Sequence, residues 1–256
     1  MYYQVEGSNL RVLGTMHGFP VENTNMPSWV WDGFNWCEDL VFEAPDPRYD
    51  TDFDSVATLP KGTTLKQLMS PKSWRELKAI VPEHKKDKLL YLKPWVAFIA
   101  LGEVLLKQFE GVEIQFRKRL CLFPKPVTAL ETNRITAQGF EVVPWRDYVK
   151  MLEFSLQNRI LVQKMFFDEY EAWVGGRIED FENTILRDPL LAIVPRYRDG
   201  MTVARNKNWM HSFKLAFPSS RKILFAVGAG HLFGEGGLTE LFAKEKHPLI
   251  SLIPKQ

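Results

Sequence analysis

Apolar and polar positions along the chain predict short strands near both ends, with long helical stretches between them. Tyr2–Val5 and Leu10–Leu13 read as strands, and Gly7-Ser8-Asn9 between them has hairpin-turn chemistry. The second strand runs into Gly14-Thr15-Met16-His17 and a polar loop containing Pro20, Asn23 and Asn25. Pro27 suits a first helical turn and opens a helix through Cys37. Asp39–Glu43 is a short strand closed by Ala44-Pro45-Asp46-Pro47, and residues 48–61 read as loop. From Thr63 to Gly111 apolar residues recur at helical spacing: Leu65, Leu68 and Met69, then Trp74, Leu77 and Ile80, then the apolar helix that Pro94 opens. Pro126–Glu131 is another short apolar run ending in an acid. Trp145–Leu186 is again helical, and a further helix covers about Leu190–Phe213, broken near Pro195. Lys222–Val227 is an uninterrupted apolar strand that leads into Gly228-Ala229-Gly230-His231, a helix from Gly237 and a last strand, Leu249–Ile253.

This order predicts an α/β (α+β) fold: a central mixed sheet flanked by helices, with a large, mostly helical insertion between sheet strands. Residues 1–256 are expected to form a single domain, with helical regions 63–111 and 145–213 covering the sheet. The strand at 223–227 lacks polar alternation, which predicts a central position buried on both faces.

Four of the predicted strands end at, or just before, a group able to bind a metal or move a proton: His17, Glu43, Glu131 and His231. Ligands of open α/β sheets bind beyond the carboxyl ends of the strands. If these four strands are parallel neighbours, two imidazoles and two carboxylates meet at one rim. Two imidazoles with one carboxylate are a ligand set of the catalytic zinc type, and the second carboxylate is then available as a general base. A lone histidine after a strand is more often a structural hydrogen-bonder. Here, however, Leu13-Gly14-Thr15-Met16-His17 and Val227-Gly228-Ala229-Gly230-His231 repeat one pattern: apolar residue, glycine, two residues, histidine. A glycine at that place permits a tight exit from the strand and close backbone approach. His84, His211 and His247 read as structural or solvated. Gly228 to Gly234 has GxGxxxG spacing and too little chain follows it for a dinucleotide-binding unit.

Composition narrows the function classes. Lys+Arg 33 against Asp+Glu 31 leaves a net charge of +2, without the basic excess of a nucleic-acid binder. Cys37 and Cys121 are too few for a disulfide framework or a four-cysteine zinc site. No signal peptide or membrane span is apparent, so a cytoplasmic location is expected. Aromatic residues reach 13%. Trp74, Trp95, Phe98, Trp145, Phe154, Trp173 and Trp209 fall in the helical regions, as candidates for the insertion's own core and for an apolar cleft wall.

The segments LRVLGTMHG, DLVFEA, LKPWVAF, VTALET, ARNKNWM and AVGAGHLFGEGGL, in this order, resemble the TraB/PrgY/GumN family, which includes the TIKI proteins. The resemblance runs from about Leu10 to Leu252, and its most specific pieces are the two GxxH motifs. It implies an α/β core akin to erythromycin-esterase-like and ChaN-like proteins, with His17 and His231 in the active site. It also implies matches for Glu43, for Glu131 and for the Arg205-Asn206 pair; on spacing alone Arg205 reads as a surface helix arginine. TIKI members are divalent-metal-dependent proteases, and the TraB and PrgY branch shuts down peptide pheromone signalling. The expectation is therefore a metal-dependent hydrolase, a peptidase acting on peptides or protein termini. His17, Glu43 and His231 would hold a divalent ion (Mn, Co or Zn). Glu131 would act as general base, and Arg205 with Asn206 would orient substrate or stabilise the oxyanion. The competing readings are a non-catalytic peptide- or signal-binding regulator in the same cleft, and a haem-binding protein.

Overall fold

A computed structural model describes residues 1–22, 25–46, 56–106 and 109–253. Six strands form the main sheet: β1 (Tyr2–Val5), β2 (Leu10–Thr15), β4 (Asp39–Phe42), β6 (Val127–Ala129), β7 (Ile223–Gly228) and β8 (Leu249–Ser251). Their order is β6-β4-β7-β2-β1-β8. The block β6-β4-β7-β2 is parallel throughout, whereas β1 runs antiparallel to both β2 and β8, so the sheet is mixed. The predicted hairpin is present: Tyr2 faces Leu13 and Gln4 faces Arg11, and Gly7 turns the chain at φ 73°. The apolar run of β7 lies at the centre of the parallel block, where Leu224 to Gly228 are all buried.

The helices between β4 and β6, and between β6 and β7, make the two long crossovers. Local chemistry sets their starts. Ser70 accepts from Ser73 N ahead of Pro71, Thr132 accepts from Ile135 N, and Asp188 accepts from Leu190 N ahead of Pro189. The region expected to be helical over Trp145–Leu186 divides into Trp145–Gln157, Arg159–Val174 and Ile178–Leu186. One break falls at Asn158, the other at Gly175-Gly176, where Gly176 takes φ 66°. The Leu190–Phe213 expectation divides as well. Pro189–Ile193 stops before Pro195, and a widened π-helical turn at Asp199–Val203 leads directly into the Ala204–Ala216 helix. Of the expected loop 48–61, residues up to 55 lie outside the described residues; Val56 and Ala57 are helical and Thr58 bridges to Leu92. Asn23, in the expected polar loop, also lies outside them.

Apolar packing separates into three clusters. The largest surrounds the sheet, with Trp29, Val30 and Phe34 from the Ser28–Trp36 helix, and Trp209, Met210 and Phe213 from the Ala204–Ala216 helix. The other two are mainly helical, one around Leu65, Leu77, Leu101 and Leu152, the other around Trp95, Tyr148 and Val194. Trp173 belongs to the sheet core, against Trp29 and Phe19, and not to the insertion's own core as its sequence position suggests. Both cysteines are free, Cys37 buried and Cys121 exposed.

One small crossing positions the site. β3 (Gly18–Phe19) pairs with β5 (Phe109–Glu110), and Val112 N donates to Met16 O at 3.0 Å, which lays the chain across the His17 segment. Gly111 makes this possible, because a Cβ there would stand 2.2 Å from the carbonyl carbon and oxygen of His17. Backbone cannot yield as a flexible side chain can. Gly111→Ala is expected to lower stability in urea unfolding by at least about 2 kcal/mol. Gly102, in the Pro94–Leu106 helix with open space around its Cβ position, is the control. There alanine should stabilise by about 0.5–1 kcal/mol.

Candidate active site

Parallel adjacency of four strands brings their carboxyl ends to one rim in the order Glu131, Glu43, His231, His17. β2 and β7 run in register, with Gly14 opposite Val227 and Thr15 opposite Gly228, so the two GxxH segments leave the sheet side by side. Gly14 serves close approach: a Cβ there would lie 2.6 Å from Leu232 Cδ1 and 3.1 Å from Ala229 Cβ, within the turn that carries His231. Gly228 serves the site itself, since its Cβ would lie 2.8 Å from His17 Nε2 and 3.1 Å from Glu43 Oε1.

Arg205 ties the rim together. Its Nε donates to Glu131 Oε1 at 2.8 Å and its Nη2 to Glu43 Oε2 at 2.7 Å. Nη1 donates to Met201 O at 3.2 Å and lies 3.1 Å from His231 Nε2. The guanidinium also stacks over Trp209, 4.8 Å from the ring centroid. It reaches this depth because two helical segments meet through glycine: a Cβ on Gly200 would stand 2.3 Å from Gly139 O, and one on Gly139 would stand 3.3 Å from Arg205 Cδ. Arg205 is therefore buried with its counter-ions, not exposed as spacing suggests.

Each remaining residue is held by identifiable bonds. Glu131 is buried and uses both oxygens: Oε1 accepts from Arg205 and from Thr136 Oγ1 at 2.7 Å, and Oε2 accepts from Trp209 Nε1 at 2.8 Å. Glu43 Oε1 accepts from Gly228 N at 2.5 Å. Burial opposes ionisation of Glu43, but the charges of Arg205 and His17 and the bond from Gly228 N outweigh it and hold the carboxyl well below its usual range. Asn206 does not face the cleft. Its Nδ2 donates to His231 O and Gly236 O, both at 2.9 Å, which leaves Oδ1 as the acceptor for His231 Nδ1 at 2.7 Å. His231 is thus fixed as the Nδ1–H tautomer, with the lone pair of Nε2 turned towards Arg205 and Glu43.

The two histidines differ sharply. Burial first, then Arg205, push His231 down to about 3, so it is neutral. His17 is pushed up to about 9, chiefly by the charge of Glu113, whose Oε1 lies 3.1 Å from His17 Nδ1; partial desolvation by neighbouring segments and the charge of Arg205 pull the other way. Water reaches 64% of the His17 side chain and screens this pair. Glu113 itself escaped sequence reasoning. Its only signal was a glycine two residues ahead of an acid in a first helical turn, a common arrangement.

The His17, Glu43, Glu131, Arg205, Asn206 and His231 side chains or their bonds therefore meet in one place. His84 and His211 are exposed, His247 is half-buried near Glu6 O and the Phe217 ring, and all three stand apart. Among the described residues no group of three or more His, Cys, Asp or Glu side chains closes to metal-ligand geometry. None of the described helices is long and apolar enough to cross a membrane.

A sequence model of the TraB/PrgY/gumN family matches residues 2–248. The chain belongs to that family. The match spans all four strand ends, so this TraB/PrgY/gumN member carries both GxxH histidines within the family's own segment. No curated protein and no solved structure matches the chain.

The opposite ionisation of the two histidines has a measurable consequence for the ion-free chain. The folded state keeps a proton on His17 that the unfolded chain releases, so this stabilisation is fully present below pH 6.5 and is lost as pH rises through 9. The folded state withholds from His231 a proton that the unfolded chain takes up, so stability falls as pH drops from 6.5 towards 3. The combined contribution of the two histidines to unfolding free energy should therefore be greatest near pH 6.5. His17→Gln should flatten the alkaline limb, and His231→Gln the limb between 6.5 and 4.5, above the ordinary range of the carboxylates. Unchanged limbs would contradict the assignment.

Proposed function

We propose that the protein is a metal-dependent hydrolase acting on peptides or protein termini. One observation carries this reading: the Nε2 atoms of His17 and His231 stand 3.8 and 3.7 Å from the same oxygen, Glu43 Oε1. Two imidazoles and a carboxylate suit a catalytic divalent ion. Donors bound tetrahedrally at about 2.1 Å stand roughly 3.4 Å apart, so each imidazole would have to approach Glu43 Oε1 by a few tenths of an ångström. Gly228 keeps the space between His17 and Glu43 clear. The charge balance agrees, since Glu43, Glu113 and Glu131 together exceed the positive charges of Arg205 and a protonated His17. Mn, Co or Zn would fit, and when bound would supply Lewis acidity and lower the pKa of a coordinated water.

The chain's own residues then have distinct parts. Asn206 keeps the His231 Nε2 lone pair directed inward. Arg205, anchored by two carboxylates, presents Nη1 and Nη2 beside the trio, where an oxyanion on an attacked carbonyl would be stabilised. Glu131, expected as the general base, is buried and already accepts from Arg205, Thr136 and Trp209. Its geometry supports anchoring Arg205 instead. A second reading, peptide binding without cleavage, is favoured by the Arg205 Nη1 that already engages His231 Nε2.

Metal analysis of the purified protein with a peptide-library cleavage screen tests the proposal. Chelation should abolish cleavage and Mn, Co or Zn should restore it, while His17→Ala should lose metal and at least about a hundredfold in kcat/KM. If His17→Ala binds metal as well as wild type, the ligand assignment is wrong; saturable peptide binding with no cleavage under any metal would favour the second reading. Glu131→Gln separates its two parts. Anchoring predicts a loss of stability of about 1–3 kcal/mol on unfolding, whereas a general base predicts lost kcat at unchanged stability.

A further inference from the structure

We infer that Glu113 is a positioning residue for His17, holding the imidazole so that Nε2 faces the cleft. The inference rests on the hydrolase reading for its functional consequence only; the geometry is independent of it. Glu113 lies in the first turn of the Val112–Leu120 helix, where the helix dipole favours a carboxylate. The β3–β5 crossing and Gly111 press that turn onto the His17 segment. Glu113 Oε1 lies 3.1 Å from His17 Nδ1 and also accepts the Thr15 hydroxyl, so β2 and the helix grip the same oxygen. Oε2 is buried and has no partner among the described residues. A carboxylate with one buried, unsatisfied oxygen costs stability, and such a group calls for a reason other than stability. Orienting the ring supplies one. With Nδ1–H turned to Glu113, the opposite nitrogen is the one that stands 3.8 Å from Glu43 Oε1.

His17 and His231 are thus each held from behind, one by a carboxylate and one by an amide. Outer partners of this kind, when removed, cost about tenfold to a hundredfold in metal affinity or activity. Two measurements on the full chain test the role. Imidazole nitrogen NMR, with His17 assigned by comparison with His17→Gln, should show a slowly exchanging Nδ1–H in wild type that disappears in Glu113→Ala. Glu113→Gln keeps an acceptor oxygen and should retain the resonance at a shifted position. Cobalt titration followed by visible absorption should show about tenfold to a hundredfold weaker binding in Glu113→Ala than in wild type, with Glu113→Gln between them. An Nδ1–H resonance unchanged in Glu113→Ala would overturn the inference; should that variant fail to fold, an unchanged resonance in Glu113→Gln would do the same. Loss of the resonance in a protein whose wild type binds no cobalt would uphold the positioning role and overturn the metal reading instead.

Discussion

A buried guanidinium has to be neutralised, and the architecture of this site follows from how Arg205 meets that demand. An isolated charge in the protein interior costs several kcal/mol, and removing one partner of a buried pair typically costs about 3–5 kcal/mol. Arg205 draws Glu43 and Glu131 from neighbouring parallel strands onto one planar group. It also sets the state of His231, whose Nε2 can lie 3.1 Å from Nη1 only as an acceptor, and therefore only as a neutral ring. Asn206, the next residue on the same helix, secures the other nitrogen of that ring. Two consecutive residues thus organise three strand ends.

What lay within reach of sequence reasoning was the part that follows from strand order. His17, Glu43, Glu131 and His231 each end an apolar run, and a parallel block needs nothing more to bring them to one rim. The uninterrupted apolar run of β7 marked its central place for the same reason. Arg205 and Asn206 were visible only through family resemblance, because their burial depends on a glycine–glycine contact between segments about sixty residues apart and on a π-helical turn ahead of them. Neither leaves a periodic trace. Glu113 was not visible at all, since its approach depends on a two-residue strand pairing. The helical region after Trp145 showed its type but not its divisions, which Asn158 and the Gly175-Gly176 pair impose.

The aromatic residues also divide differently from their sequence positions. Trp95 packs within a helical cluster, stacked on Phe140, as a residue of the insertion should. Trp209 instead reaches the sheet core and touches three members of the site. Its indole N–H bonds Glu131, its face receives Arg205, and its ring lies 4.4 Å from that of His231. A large apolar side chain with one polar hydrogen suits this place, since it removes water from the ion cluster while satisfying a carboxylate oxygen. Excluding water strengthens each interaction that Arg205 makes.

The two GxxH motifs look alike in sequence, yet they build unlike histidines. A neutral amide stands behind His231, and burial keeps that ring neutral, with its one proton on Nδ1. A carboxylate stands behind His17, and the ring is drawn towards the charged form while water still reaches it. Environments that push two like groups apart are how one site obtains different roles from the same side chain. The glycine of each motif has a separate task too: Gly14 admits the turn carrying His231, whereas Gly228 keeps open the space between His17 and Glu43. The repeat therefore specifies where the imidazoles emerge from the sheet. The orientation of each ring is set by Asn206 and Glu113, which lie on helices from two different crossovers. A substitution at either position would change one histidine and leave its counterpart's bonds in place.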